Sequence, residues 1–353
     1  MSEAATWFAA RLVYPSTMSH AATPPDLAIA ELRRTAQDGG LDAQVALGKE
    51  LLAGKDSSQQ EGAALIAGAA QQGHAEAAAV AANLIGAGAA TAEDWATALK
   101  YLQQAAEGGW HPARQQLALL SCDAELRREA ESAPPPDIWG RLRRGIDLGR
   151  WLEPAPRSVL SQSPTIATFD AFLAPDICDW IVERSRPGIA RARVFDRATG
   201  KGEIAQARTN SAFEFDFLST DLVMLLTRAR IAAATGYAAR VLENTGVLHY
   251  SVGQEFFRHF DFLDPALPGL ATEIAAKGQR VATFLVYLND AFEGAETEFP
   301  LLGRRHRCPK GGALFFMNVD PSGAPDRRTL HAGLPPTSGE KWLLSQWIRG
   351  PGG

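Results

Sequence analysis

His259 and Asp261 stand two residues apart in the stretch RHFDF, a spacing that can present one imidazole and one carboxylate to a single cation. With seven histidines and 40 acidic residues among 353, about 0.8 His-x-Asp/Glu pairs are expected by chance, so a match alone counts for little. There are two: this one and His74-Ala75-Glu76 in an alanine-rich run. In a strand, residues i and i+2 project from the same face, so His259 and Asp261 can converge. On a helix, residues two apart point about 200° away from each other. His74 and Glu76 are therefore read as a helix-start histidine and a surface glutamate. A third ligand is needed. His331, in RRTLHAG, sits in a predicted strand just before a turn and is favoured over His306, whose RRHRC context reads as a charged turn.

Two histidines and one carboxylate on one side of a cation, with open positions opposite, describe the facial triad of a non-haem Fe(II) centre. Satisfied core histidines are the competing reading of these three residues alone. Lys341 tips the balance. It opens the run KWLLSQWIR, where strand alternation places Lys341, Ser345 and Trp347 on one face. A lysine aimed into an apolar interior is costly unless it meets an anion, and the carboxylate of a co-substrate provides one.

Two dissimilar halves must position these residues. Residues 30–130 are rich in Ala, Leu, Gln and Glu with regular glycines, whereas residues 160–350 are rich in Phe, β-branched residues, proline and turn pairs; the change falls at SAPPPD, 132–137. In the first half Ala36-x-x-Gly39-x-x-x-Ala43 recurs from Ala70 and again from Ala106, after 34 and then 36 residues. That period indicates stacked helix pairs, with the glycine ending one helix of each pair. GAALIAGAAQQG and WATALKYLQQAAEGG resemble the second helices of Sel1-like repeats, relatives of the tetratricopeptide class; an irregular helical bundle is the plainer alternative. The second half reads as short strands, TGVLHYSV, RVATFLVYLND, GGALFFMNV, RRTLHAG and KWLLSQWIR, separated by turn signals. Helical spacing is confined to PDICDWIVERSR, 175–186, and TDLVMLLTRARIAAATG, 220–236. The expected boundaries are a repeat domain over 26–130, a linker over 131–160 and a β domain over 161–351.

The ordered set HYSVGQEFFRHFDF, RVATFLVYLNDAFEGAETEFP, KGGALFF, TLHAG and GEKWLLSQW resembles the catalytic domain of prolyl 4-hydroxylase-like 2-oxoglutarate and Fe(II)-dependent dioxygenases over about residues 165–350. The resemblance implies a double-stranded β-helix (jelly-roll) core, so the expected architecture is the N-terminal α-helical repeat solenoid followed by a jelly-roll domain with supporting helices. It implies Fe(II) on His259, Asp261 and His331, 2-oxoglutarate and O2 as co-substrates, and ascorbate as an accessory reductant. Lys341 would pair with the distal carboxylate of 2-oxoglutarate, with Tyr250 and Thr297 as hydroxyl donors to it, while Arg280 and Trp347 would face the substrate. Arg208-Thr209-Asn210-Ser211 is similar to the segment that enters the first core strands. Plainer readings stand beside these: a buried tyrosine, a strand threonine, a solvated arginine and a core tryptophan. One departure is visible, Gly294-Ala295 in place of the usual glycine pair, while Asp261 retains the carboxylate that hydroxylation requires. The polar segment 191–209 reads equally as a lid and as an exposed loop.

Composition bounds the rest. A net charge of −5 and pI near 5.9 give no electrostatic reason to expect nucleic acid or an anionic membrane as partner. No segment approaches the roughly 18 unbroken apolar residues of a membrane helix, and the N-terminus lacks the pattern of a signal peptide. Cys122, Cys178 and Cys308 are odd in number and far apart, which fits a reducing cytoplasm. The expected function is hydroxylation of a prolyl residue in a peptide or protein recruited by the repeats. The alternatives are a hydroxylase of a free amino acid or small peptide, and a repeat-based interaction protein with a vestigial barrel.

Overall fold

Three glycines set the spacing of the helical half. The computed structural model describes residues 25–54, 58–132, 134–192, 194–195, 202–203 and 208–350. Gly39, Gly73 and Gly109 have φ of +89°, +89° and +91°, a left-handed conformation that an L side chain resists. Each sits in the same turn: between helices Pro25–Gln37 and Leu41–Ala53, Ser58–Gln71 and Ala75–Gly88, and Ala92–Glu107 and His111–Leu120. At the second, Gly73 N–H donates to Ala70 O and His74 N–H to Ala69 O, both at 3.0 Å. The pairs Gly39/Gly40 and Gly109/Trp110 repeat this double bond, the Schellman closure that satisfies the last carbonyls of a helix. The 34- and 36-residue period is thus a recurrence of one helix–turn–helix geometry. His74 caps the next helix, its Nδ1 accepting from Ala77 N–H at 3.2 Å, and Glu76 pairs with Lys49 at 2.7 Å; neither approaches a metal cluster.

The chain divides into two compact units, Met1–Leu152 with Phe217–Leu226, and Glu153–Asp216 with Thr227–Gly353. Helices Ile138–Arg144 and Gly149–Leu152 fall within the segment expected as a linker over 131–160, and strand Ser158–Gln162 begins before its end. The proline run lies between helices Ala124–Ser132 and Ile138–Arg144, and the first unit continues to Leu152. Most of the segment 191–209, read as lid or loop, lies outside the described residues. No helix among the described residues is long and apolar enough to cross a membrane.

The second unit is built on Arg280–Tyr287, whose β-branched and aromatic residues are buried on both faces from Ala282 onward. It lies between Ala313–Met317 and Lys341–Arg349 in an antiparallel eight-stranded sheet, ordered Ser158–Gln162, Thr165–Phe169, Ala313–Met317, Arg280–Tyr287, Lys341–Arg349, Gly246–Tyr250, Ser211–Glu214, Ala190–Arg191. A four-stranded sheet runs Arg304–His306, Thr297–Phe299, His331–Gly333, Phe256–His259. Leu248, Leu285, Leu314, Phe316 and Leu343 of the large sheet share one core with Phe299 of the small one. The result is a jelly roll of two sheets that do not close into a barrel. Helices Pro175–Ser185 and Leu222–Thr235 appear where helical spacing predicts them.

Two local differences bear on the site. RRTLHAG is not all strand: Arg327–Thr329 forms a 3-10 turn and only His331–Gly333 is extended. Helix Pro268–Lys277, which apolar spacing did not reveal, lies between Asp261 and Arg280. The Gln279 amide fastens the base of this excursion, accepting from Leu263 N–H and donating to Leu263 O, each at 2.7 Å.

Candidate active site

His259 is the last residue of its strand, and Asp261 comes next but one, in a bend. Strand parity therefore accounts for His259 but not for Asp261, which reaches the same point by leaving the strand. His331 is brought there by sheet register, paired directly with His259 across the two strands. Asp261 Oδ1 lies 3.6 Å from His259 Nε2 and its Oδ2 lies 3.5 Å from His331 Nε2. The three side chains can offer ligand atoms all within 4.8 Å of one another. His306 is not in the group; it sits half-buried at the end of an outer strand.

Hydrogen bonding shows that these residues suit a metal. His259 Nδ1 is 2.7 Å from Phe257 O, and His331 Nδ1 is 3.0 Å from Thr329 O. A carbonyl only accepts, so both Nδ1 atoms carry a proton and each ring turns its Nε2 toward Asp261. Burial, reinforced by neighbouring His259, pushes His331 down to about 4, so it does not supply a proton at neutral pH. Burial opposes the Asp261 charge as well, yet the His331 and His259 imidazoles and the Thr283 hydroxyl hold its carboxyl well below the usual range. Two imidazole nitrogens and a carboxylate converging on one point are what a divalent cation satisfies, and main-chain bonds on the outer nitrogens fix the ring orientation. Phe256 stacks on His259 at 3.5 Å and 13°, and Phe316 meets His331 edge-on at 4.8 Å.

Lys341 is fully buried, pairs in register with Tyr250, and donates to Ala295 O at 2.8 Å. Its Nζ lies 5.3 and 5.0 Å from the Tyr250 and Tyr287 ring centroids. Burial drags it from 10.5 to about 7, only partly offset by Glu296 and Cys308. A carbonyl and two ring faces under-serve an ammonium with three donors, so this end of the core fits an anion. Gly333 helps shape it: a Cβ there would stand 3.0 Å from Tyr250 Oη. Burial pushes Tyr250 up to about 12, keeping its hydroxyl a neutral donor. Tyr287, not among the residues the sequence singles out, donates to His306 O at 2.9 Å and therefore accepts from Thr297 Oγ1 at 2.9 Å. Thr297 thus reaches the lysine end through Tyr287. Gly294 and Ala295 both have positive φ, +70° and +58°. The departure from paired glycines places a methyl group in a left-handed backbone, at a cost of roughly 1 kcal/mol.

Arg280 is neither solvated nor free. Its Nε and Nη2 bind Glu243 at 2.7 and 2.9 Å, and its guanidinium lies 3.5 Å over the Trp347 ring. Glu243 also pairs with Arg349; burial opposes its charge, but the two arginines hold it below the carboxylate range. Trp347 is paired with Thr283, whose hydroxyl donates to Asp261 at 2.7 Å, so the Arg280–Trp347 wall adjoins the metal ligands. Arg208, to which the sequence alone assigns no role, lies 4.4 Å over Phe256, which stacks on His259. Thr283, Tyr287 and Glu243 were also missed. Alternation along Arg280–Tyr287 places Thr283 and Tyr287 on one face and could have found both; nothing in the sequence marks Glu243.

Residues 245–349 match the model of the 2OG-Fe(II) oxygenase superfamily. Prolyl 4-hydroxylase 5 of Arabidopsis thaliana is 31% identical over 221 residues, covering 56% of this chain and 71% of that protein. The chain belongs to the prolyl 4-hydroxylase family. Probable prolyl 4-hydroxylase 10 of the same plant is 30% identical, covering 57% of this chain and 72% of the relative. The viral collagen prolyl hydroxylase of Paramecium Bursaria Chlorella virus-1, solved as a 2OG complex, shares 28% identity with a TM-score of 0.41, covering 53% of this chain and 96% of that one. As a member of the prolyl 4-hydroxylase family, the protein is a 2-oxoglutarate-dependent dioxygenase, and its His-Asp-His cluster suits the family's Fe(II).

Proposed function

We propose that the protein hydroxylates a prolyl residue within a peptide or protein, and that the helical unit, read as Sel1-like repeats, recruits that target. The observation that carries the prolyl reading is the set of relatives named prolyl 4-hydroxylase at 30–32% identity. His259, Asp261 and His331 would hold Fe(II), which with 2-oxoglutarate and dioxygen supplies the oxidant for aliphatic C–H hydroxylation, with succinate and carbon dioxide as co-products. Lys341 binds the distal carboxylate of 2-oxoglutarate, and Tyr250 donates a hydrogen bond beside it. The Arg280–Trp347 wall, held rigid by Glu243, orients the peptide so that one carbon is presented to the centre. The apolar rings around both histidines keep water from the reacting groups.

We infer a cytoplasmic location, supported by three cysteines that are all unpaired, with ascorbate as accessory reductant. The test is mass spectrometry for a one-oxygen gain on proline-containing peptides and on free proline, with Fe(II), 2-oxoglutarate and O2. Hydroxylated peptide is expected with the natural sequence and not with His259→Ala or Asp261→Ala. Hydroxylation of free proline alone would overturn the peptide reading.

A further inference from the structure

The strand Ala313–Met317 and the residue after it support two metal ligands from one face. Phe316 meets His331 edge-on at 4.8 Å, and two residues on, Asn318 Nδ2 donates to Thr283 Oγ1 at 2.9 Å. Thr283 Oγ1 in turn lies 2.7 Å from Asp261 Oδ2. The direction of this chain is fixed by proton counting. A threonine hydroxyl has one proton; because it accepts from the Asn318 amide, that proton goes to Asp261. Turning the amide over would set two acceptors, Asn318 Oδ1 and the carboxylate, against one hydroxyl.

All three side chains are buried, Thr283 and Asn318 completely. The main chain holds Asn318 in place, its N–H donating to Val281 O at 2.8 Å and its carbonyl accepting from Asp326 N–H at 3.0 Å. Asn318 Oδ1 is buried and finds no hydrogen-bond donor among the described residues. An interior that only had to fill this volume would be better served by an apolar side chain. The other end of the amide is the one that bonds, to the Thr283 hydroxyl.

We propose that Asn318 is a positioning residue for the metal centre, acting through Thr283 to hold the Asp261 carboxylate oriented toward the two imidazoles. The inference rests on the reading of His259, Asp261 and His331 as metal ligands, and is independent of the substrate. Neither Asn318 nor Thr283 touches the metal; their effect passes through the bond to Asp261.

The test is Mn(II) affinity of the full chain, read from the free-ion electron paramagnetic resonance signal with no co-substrate present. Thr283→Val is expected to weaken Mn(II) binding on the order of 10- to 100-fold, whereas Thr283→Ser, which keeps the hydroxyl, stays within about threefold. Asn318→Leu is expected to weaken it by about three- to tenfold, and the double variant Thr283→Val/Asn318→Leu binds no more weakly than Thr283→Val alone, because the two act in series. A purely structural loss would be repeated in Thr283→Ser and would add in the double variant. Should Thr283→Val fail to fold, Asn318→Leu against Thr283→Ser carries the test. Asn318→Leu with natural affinity, or fully additive losses, would overturn the proposal. Failure of the natural sequence itself to bind Mn(II) would instead overturn the reading of the three ligands.

Discussion

Lys341 makes 2-oxoglutarate binding a proton-uptake reaction. In the unliganded protein burial holds the lysine at about 7, so above that pH most molecules carry a neutral amine. A carboxylate bound against Nζ restores the ammonium, and each binding event above pH 7 takes up one proton. Affinity is therefore full below about pH 7 and falls as pH rises, close to tenfold per unit; at pH 8.5 the dissociation constant should be about 30-fold above its acid plateau. His331 at about 4 and Tyr250 at about 12 titrate outside this window. Folding stability has the opposite sign: the unfolded lysine keeps its proton up to its ordinary 10.5, so the unliganded protein gains stability as pH rises from about 7 toward that value. The assay is anaerobic isothermal titration calorimetry with Mn(II)-loaded protein between pH 6 and 9, in buffers of differing ionisation enthalpy. Lys341→Met should abolish the pH dependence and weaken binding at pH 6 on the order of 100-fold, the cost of leaving a carboxylate without its buried partner. A dissociation constant that is flat from pH 6 to 9, with no proton uptake, would refute the reasoning.

Arg280→Ala should raise the KM for a prolyl peptide about tenfold while substrate-independent 2-oxoglutarate decarboxylation stays unchanged, and Glu243→Gln should act in the same direction by releasing Arg280 from its partner. Equal loss in the uncoupled reaction would place Arg280 with the metal chemistry instead. At Gly73, φ is +89° and an added Cβ would meet nothing within 4 Å; Gly73→Ala should cost about 1 kcal/mol from backbone conformation alone. Urea unfolding followed by circular dichroism checks this, and a change below about 0.3 kcal/mol would show that the turn relaxes.

The features legible in the sequence were those that repeat or that report burial. The helical period was readable because one glycine geometry recurs three times, and the central strands because apolar and β-branched residues run unbroken through Arg280–Tyr287. The His-x-Asp pair was found by a strand argument that holds for only one of its members: the strand ends at His259, and convergence comes from the bend beyond it. His331 could be chosen by its place before a turn, but its direct pairing with His259 is a matter of register, which spacing along the chain does not encode. Glu243 and Asn318 were invisible for the same reason. Each acts across 37 and 35 residues respectively, on Arg280 and Thr283, and a lone glutamate or asparagine carries no local pattern. A proline run stops a helix locally and leaves the chain free to start another a few residues later, so it does not by itself mark where the helical unit stops.

Two hydrogen bonds between Gln279 and Leu263 close the base of the excursion that carries helix Pro268–Lys277. Its far end is tied as well, because Glu273 and Gly278 both accept from Arg349, which shares Glu243 with Arg280. The turn-distal residues between these ties form a cassette: a segment of different length can be spliced there without disturbing the ligand two residues upstream of Leu263, so long as Gln279 and the acceptors for Arg349 stay. Diversification of what is accepted can then proceed in this stretch at little risk to the chemistry.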